Sequence, residues 1–158
     1  MPSVLFVCTA NRFRSPLAAA FFNQKLQEVN KDHNWKVESA GTWCIENLPP
    51  VVEAVDEANK RNIDIYSHRS RMINEEILSA FNLALVMEMG QKEALRCEFP
   101  LFDEKIYLLT EVGGAVPYSI PDPFTSAESP EKIAAEIEAQ INRSFDLIFR
   151  ALSRMKGV

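Results

Sequence analysis

A thiol and a guanidinium stand six residues apart in Cys8-Thr9-Ala10-Asn11-Arg12-Phe13-Arg14-Ser15-Pro16, the stretch with the densest chemistry in the chain. A loop of this length can curl so that successive backbone N–H groups converge on an anion. Arg14 at its rim can grip two oxygens of a tetrahedral oxyanion. A helix N-terminus and a nearby arginine both favour the thiolate form of cysteine. A nucleophilic sulfur beneath a bound phosphate is the chemistry of phosphoryl transfer. Cleaving a phosphate ester also requires a proton for the departing oxygen, and Asp122 is the candidate donor. Pro121 and Pro123 stiffen the backbone around it, and Phe124 can wall an aromatic leaving group. Singly, a cysteine ending an apolar strand is an ordinary core residue, and Pro-Asp-Pro a surface turn. Their coincidence with the Cys-x5-Arg spacing points to a site.

These residues need a strand, a tight loop and a helix start to hold them. Val4 to Val7 form the short apolar run of a strand covered on both faces. Ser15 followed by Pro16 predicts an N-cap and first helical position, with Leu17, Ala18, Phe21, Phe22, Leu26 and Val29 at helical spacing. Lys36 to Ser39 alternates as a second strand, and Ala40-Gly41-Thr42 turns it out. Residues 43–48 form a loop. Pro49-Pro50 then opens a helix whose face is Val51, Val52, Val55 and Ala58. The basic loop Ser67 to Arg71 leads to a helix from Asn74 to Phe81. Leu83 to Met87 is another buried strand, a short helix follows over 91–97, and Ile106 to Leu109 is the last strand. Residues 113–124 make a long Gly/Pro-rich loop of the kind that carries function. Ser129-Pro130 opens a final helix with an apolar stripe of Ile133, Ile137, Ile141, Phe145, Ile148, Leu152 and Met155. Four strands alternating with about five helices predict one α/β domain over residues 1–158, built on a parallel sheet. Ligands in such sheets sit at the carboxyl ends of the strands, where Cys8 falls.

Composition narrows the partners. A chain of 158 residues can bury roughly 70% of its unfolded surface in one core. Its net charge of −5 argues against nucleic acid or an anionic membrane, and makes the anion site a local exception to the global field. Cys8, Cys44 and Cys97 are widely spaced and contain no CxxC, so neither a disulfide framework nor a zinc site is expected, and a reducing cytoplasm is. No charged-then-apolar leader precedes Val4, and the apolar stretch around Ile77 to Met87 is too short to span a bilayer.

Cys8 through Pro16 resembles the signature loop of the low-molecular-weight protein tyrosine phosphatases, Cys-x-Gly-Asn-x-Cys-Arg-Ser-Pro. Ser39-Ala40-Gly41-Thr42, Ser67-His68-x-x-Arg71 and Asp122-Pro123-Phe124 continue the resemblance in the family's order. It implies a three-layer fold with a four-stranded parallel sheet in the order 2-1-3-4. It also implies metal-independent hydrolysis of protein phosphotyrosine or small aryl phosphates, without a cofactor, through a phosphocysteine. Cys8 is then nucleophile, Arg14 phosphate clamp and Asp122 general acid and base, with Thr9, Ala10, Asn11, Arg12, Phe13, Arg14 and Ser15 around the phosphate. The resemblance implies that Ser15 donates toward the thiolate as well as capping the helix, and that Asn11 bonds Ser39 and His68 to brace the loop. Trp43, Ile45 and Phe124 fall at the substrate entrance, although Trp43 and Ile45 suit partial core packing equally. Inorganic phosphate or vanadate is the expected inhibitor, and a monomer or weak dimer the expected state.

Several positions depart from the pattern. Ala10 replaces the usual Gly and would be strained if its φ were positive. Phe13 replaces a second Cys that in the family can form a protective disulfide with the nucleophile, so Cys8 should overoxidise more readily. Arg12 adds charge at the rim, Ala19 and Glu88 stand where Glu and Asp are frequent, and Phe124-Thr125 replaces a tyrosine pair. Three other readings share the scaffold: an arsenate reductase, a phosphoarginine phosphatase and a non-catalytic phosphate-binding module. The first needs clustered resolving cysteines after the third strand, where only Cys97 lies, and intact Cys8, Arg14 and Asp122 argue against the last.

Overall fold

The structure is a computed structural model and describes residues 1–114 and 116–155. Four strands form one parallel sheet: β1 (Ser3–Cys8), β2 (Lys36–Gly41), β3 (Leu83–Val86) and β4 (Ile106–Leu108), in the order β2-β1-β3-β4. Central β1 alternates its side chains between two cores, which is why every one of its residues is buried. Val4, Phe6 and Cys8 face the layer of α1 (Arg14–Glu28), α2 (Val52–Asn59) and α6 (Pro130–Ser153). Leu5 and Val7 face the layer of α3 (Glu75–Ser79) and α4 (Met89–Glu98). One-turn α5 (Leu109–Val112), too short for a periodic signal, follows β4 and brings the described α-helices to six, one more than expected.

Several expectations shift by a turn or a face. Ser15 is not the N-cap of α1: the cap is Phe13, and the Ser15 hydroxyl is engaged by Cys8 and Asn11 instead of by backbone. Pro16 still falls in the first turn, where its missing N–H has no helical partner to lose. Val29 lies past the end of α1 and is exposed. On α2 the buried face is Ala54, Val55 and Ala58, while Val52 at its first residue points outward. Met155 lies beyond α6 and is exposed, whereas the stripe from Ile133 to Leu152 is buried. Ser129 does cap α6, accepting from the Lys132 N–H at 3.1 Å. Of the 113–124 loop, Ala115 lies outside the described residues.

Aromatic rings lock the helical layer to the sheet. The Phe22 ring sits 5.7 Å from Phe6, 5.7 Å from Trp35 and 5.0 Å from Phe145, and so ties α1 to both β1 and α6. This anchors the helix whose first turn closes the Cys8 loop.

Candidate active site

Cys8 ends β1 at its carboxyl end, in register with Gly41 of β2. The chain then turns through residues 9–13 into α1. The reversal is made at Asn11, whose φ is 58°, a conformation that Asn tolerates better than most residues. Ala10 has no positive φ, so replacing the family's Gly adds no left-handed strain here. The first turn of α1 supplies amides without intrahelical acceptors, beginning beside the loop.

The Cys8 side chain is 2% exposed and belongs by contact to the hydrophobic core, yet its sulfur is met by polar donors. Ser15 Oγ lies 3.0 Å from Sγ, and the Asn11 N–H points at it from 3.3 Å. Asn11 itself is fully buried and braced. Its Nδ2 donates to Ser15 Oγ at 2.8 Å and Ser39 Oγ at 2.9 Å, and its Oδ1 accepts the Arg71 N–H at 3.0 Å. His68 Nε2 lies 2.7 Å from the Asn11 carbonyl, which can only accept, so that nitrogen carries a proton. Burial and the neighbouring Arg69 and Arg71 charges lower the His68 pKa, against the raising effect of that hydrogen bond.

Close packing of the loop on β2 explains one glycine. A Cβ on Gly41 would lie 2.6 Å from the Thr9 carbonyl oxygen and 3.1 Å from Asn11 Cβ. Two further bonds stitch this seam: Thr42 N–H to the Cys8 carbonyl at 2.8 Å and Trp43 N–H to the Thr9 carbonyl at 3.1 Å.

Arg14 is 2% exposed. Its Nη1 donates to the Ile120 carbonyl at 2.9 Å and pairs with Glu88 Oε2 at 2.9 Å, while Nη2 stands 3.9 Å from Asp122 Oδ2. One guanidinium therefore joins the Cys8 loop, the start of α4 and the segment that carries Asp122. Asp122 remains partly exposed, and its Oδ1 accepts the Phe124 N–H at 2.8 Å, fixing a turn. Phe124 is half-exposed and meets Phe13 edge-on with ring centroids 5.5 Å apart.

Trp43 and Ile45 are exposed at 78% and 74%, which removes the core-packing alternative for both. Arg12 anchors its Nε on the Pro49 carbonyl at 2.8 Å. Cys97 stands near the far end of α4, on the order of 9 Å along the helix from Gln91 near its start. The sequence reading missed Gln91, which donates to Thr9 Oγ1 at 2.9 Å, and gave Glu88 no partner. Glu88-x-x-Gln91 ahead of a helix was the available signal, as a capping box.

A family model described as low molecular weight phosphotyrosine protein phosphatase matches residues 3–155. The chain belongs to that family. It is 31% identical over 142 residues to a protein-arginine-phosphatase of Geobacillus stearothermophilus, covering 89% of this chain and 91% of the relative. It is 29% identical over 146 residues to a probable low molecular weight protein-tyrosine-phosphatase EpsP of Ralstonia nicotianae, covering 89% and 94%. A low molecular weight protein tyrosine phosphatase of T. tengcongensis superposes with a TM-score of 0.85 at 34% identity, covering 93% of this chain and 99% of the other. The four-stranded order 2-1-3-4 is thus the phosphatase fold of its relatives. Among the described residues no helix is long and apolar enough to cross a membrane.

Proposed function

We propose that this phosphatase removes phosphate from tyrosine on proteins, and from small aryl phosphates, with Cys8 as the nucleophile. The Cys8 sulfur attacks phosphorus in line, forming the S–P bond as the ester P–O bond breaks. Asp122 gives its proton to the departing phenolic oxygen. The resulting carboxylate then takes a proton from water, which attacks the phosphocysteine and releases inorganic phosphate and the thiolate. Arg14 and the loop amides hold the equatorial oxygens through both steps. The observation that carries this reading is that consecutive residues at the start of α1 reach both partners: Ser15 Oγ lies 3.0 Å from the Cys8 sulfur, and Arg14 Nη2 lies 3.9 Å from Asp122.

Relatives named as arginine phosphatases make phosphoarginine the second reading. Arg12 argues against it: held on the Pro49 carbonyl at 2.8 Å, it brings a positive, not a negative, side chain to the loop that would receive a cationic guanidinium. The edge contact of Phe124 on Phe13, itself a residue of the loop, instead supports a flat aromatic leaving group. Cys97 is exposed at the far end of α4, and Cys44, which lies beside the loop close enough to feel the Cys8 charge, is a single thiol after the second strand, not the cluster after the third that an arsenate reductase needs. Three free cysteines support a reducing compartment, the cytoplasm, and one domain over residues 1–158 fits the single sheet.

The test is turnover of p-nitrophenyl phosphate, phosphotyrosine peptide and phosphoarginine in the presence of EDTA, with and without vanadate. The expected result is vanadate-sensitive aryl phosphate hydrolysis, abolished in Cys8→Ser with phosphate binding retained. Turnover of Cys8→Ser at the wild-type rate would refute the nucleophile, and preferential hydrolysis of phosphoarginine would reverse the substrate order.

A further inference from the structure

We propose that Gln91 is a positioning residue of the phosphate cradle, coupling Thr9 on one side of the nucleophile to Arg14 on the other; the proposal rests on the hydrolase reading above. Gln91 is 6% exposed, in the first turn of α4. Its Oε1 accepts the N–H of Met87 at 3.1 Å and of Glu88 at 3.0 Å. Backbone N–H groups only donate, so these two bonds settle which way the amide points. Nε2 therefore faces the site, donating to Thr9 Oγ1 at 2.9 Å and to Glu88 Oε2 at 2.9 Å. That same Glu88 oxygen receives Arg14 Nη1 at 2.9 Å.

One buried amide thus spans from the residue after Cys8 to the carboxylate that holds the arginine. The geometry requires both an acceptor and a two-proton donor at this reach. A glutamate here would keep the acceptor half, lose both donations and set a second carboxylate against Glu88. An asparagine would be one methylene short. Catalysis by fixed dipoles depends on the clamp being in place before the charge develops, and a carboxylate free to swing would carry Arg14 with it.

Gln91→Glu separates this role from a purely structural one, because it keeps the bonds to the Met87 and Glu88 N–H groups. Purified full-length wild type and variant are compared by kcat and KM for p-nitrophenyl phosphate from pH 5 to 8, by calorimetric affinity for inorganic phosphate, and by melting temperature. The expected result is a roughly tenfold to hundredfold loss of kcat/KM at pH 8, the scale of a small misplacement at a reacting centre. Phosphate affinity falls with it. The loss shrinks toward pH 5 as the introduced carboxyl protonates and regains one donor, and any fall in melting temperature shrinks with it. Thr9→Val, which removes the acceptor on the loop side without touching α4, should give part of the loss and combine less than additively with Gln91→Glu. Unchanged kcat/KM and phosphate affinity, strict additivity, or a loss that is equal at every pH and accompanied by a fallen melting temperature would each overturn the proposal. Should wild type bind phosphate without turning over aryl phosphates, the hydrolase reading fails alone, and the affinities and melting temperatures still decide the role of Gln91.

Discussion

Asn11, fully buried, joins Ser15 of its own loop to Ser39, His68 and Arg71 from two other stretches of chain, whereas Asp122, 3.9 Å from Arg14, is held by a turn bond to its neighbour Phe124. The floor is over-determined and the rim is local. Trp43, Ile45 and Phe124 expose large apolar surface, while Cys8, Asn11, Arg14 and Ser15 expose almost none. Attack at phosphorus needs fixed dipoles around a fixed sulfur. Recognition of the group beyond the phosphate needs surface that meets a partner. The difference teaches which substitutions should break the enzyme and which should only retune it.

The comparison breaks most visibly at Asn11. Asn11→Ala removes the three side-chain bonds and leaves Ser15 Oγ, Ser39 Oγ and the Arg71 N–H short of a partner. Left-handed backbone also suits Ala less well. The expected cost is on the order of 3–5 kcal/mol in denaturant unfolding, summing roughly 1 kcal/mol or more per orphaned group. Phosphate affinity should fall with it. A cost below about 0.5 kcal/mol, the range of an ordinary surface change, would show that the floor is no more braced than the rim.

Gly41→Ala tests the same floor by steric means. The new Cβ meets the Thr9 carbonyl, a backbone atom with little room to yield, so about 1–3 kcal/mol of destabilisation is expected. Activity should fall further than stability alone explains, because the displaced residue adjoins Cys8. Wild-type kcat/KM in a destabilised protein would break the link between the seam and the site.

Much of this floor was legible and most of its bracing was not. The run Val4 to Val7, the Cys8–Arg14 spacing and the Ser129-Pro130 helix start are local patterns, and local patterns survive folding. Ser15 misled because a hydroxyl before a proline reads as a cap, while the structure gives it to a sulfur seven residues earlier. Gln91 was invisible for a related reason: its partner Thr9 lies 82 residues away, and no periodicity announces a hydrogen bond across the sheet. Asn11, Ser39 and His68 came from family resemblance, since a loop sequence alone does not say which distant residues it will touch. Val52 and Met155 failed at element ends: Val52 opens α2 on its outward side, and Met155 continues the apolar stripe in sequence after α6 has stopped.

A smaller effect sharpens the comparison through pH. The His68 pKa is lowered in the fold, first by burial. Between its folded value and the ordinary 6.5, the unfolded chain binds more protons, so stability rises with pH across that window. The contribution is fully present above pH 6.5 and is lost as pH falls through the folded value, at no more than about 1.4 kcal/mol per pH unit. His68→Gln keeps a donor for the Asn11 carbonyl without titrating, so its unfolding free energy should lack this slope while aryl phosphate turnover persists. A slope identical to wild type would assign the acid sensitivity elsewhere.

The rim should answer least in stability and most in selectivity. Phe13 is buried and Phe124 half-exposed, and their edge contact is worth about 0.5–1.5 kcal/mol in a double-mutant cycle with leucine at both positions. Phe124→Leu should therefore cost little in melting temperature. Its effect belongs in the KM for aryl phosphates relative to alkyl phosphates, because only an aryl leaving group gains from a flat wall over the basin. Since Phe13 also lies within the loop, Phe13→Leu should carry the same change in selectivity and add a fall in kcat. If both variants shift kcat alike and leave the aryl preference intact, Phe124 acts as part of the floor, and the division between a braced basin and a selective rim is drawn in the wrong place.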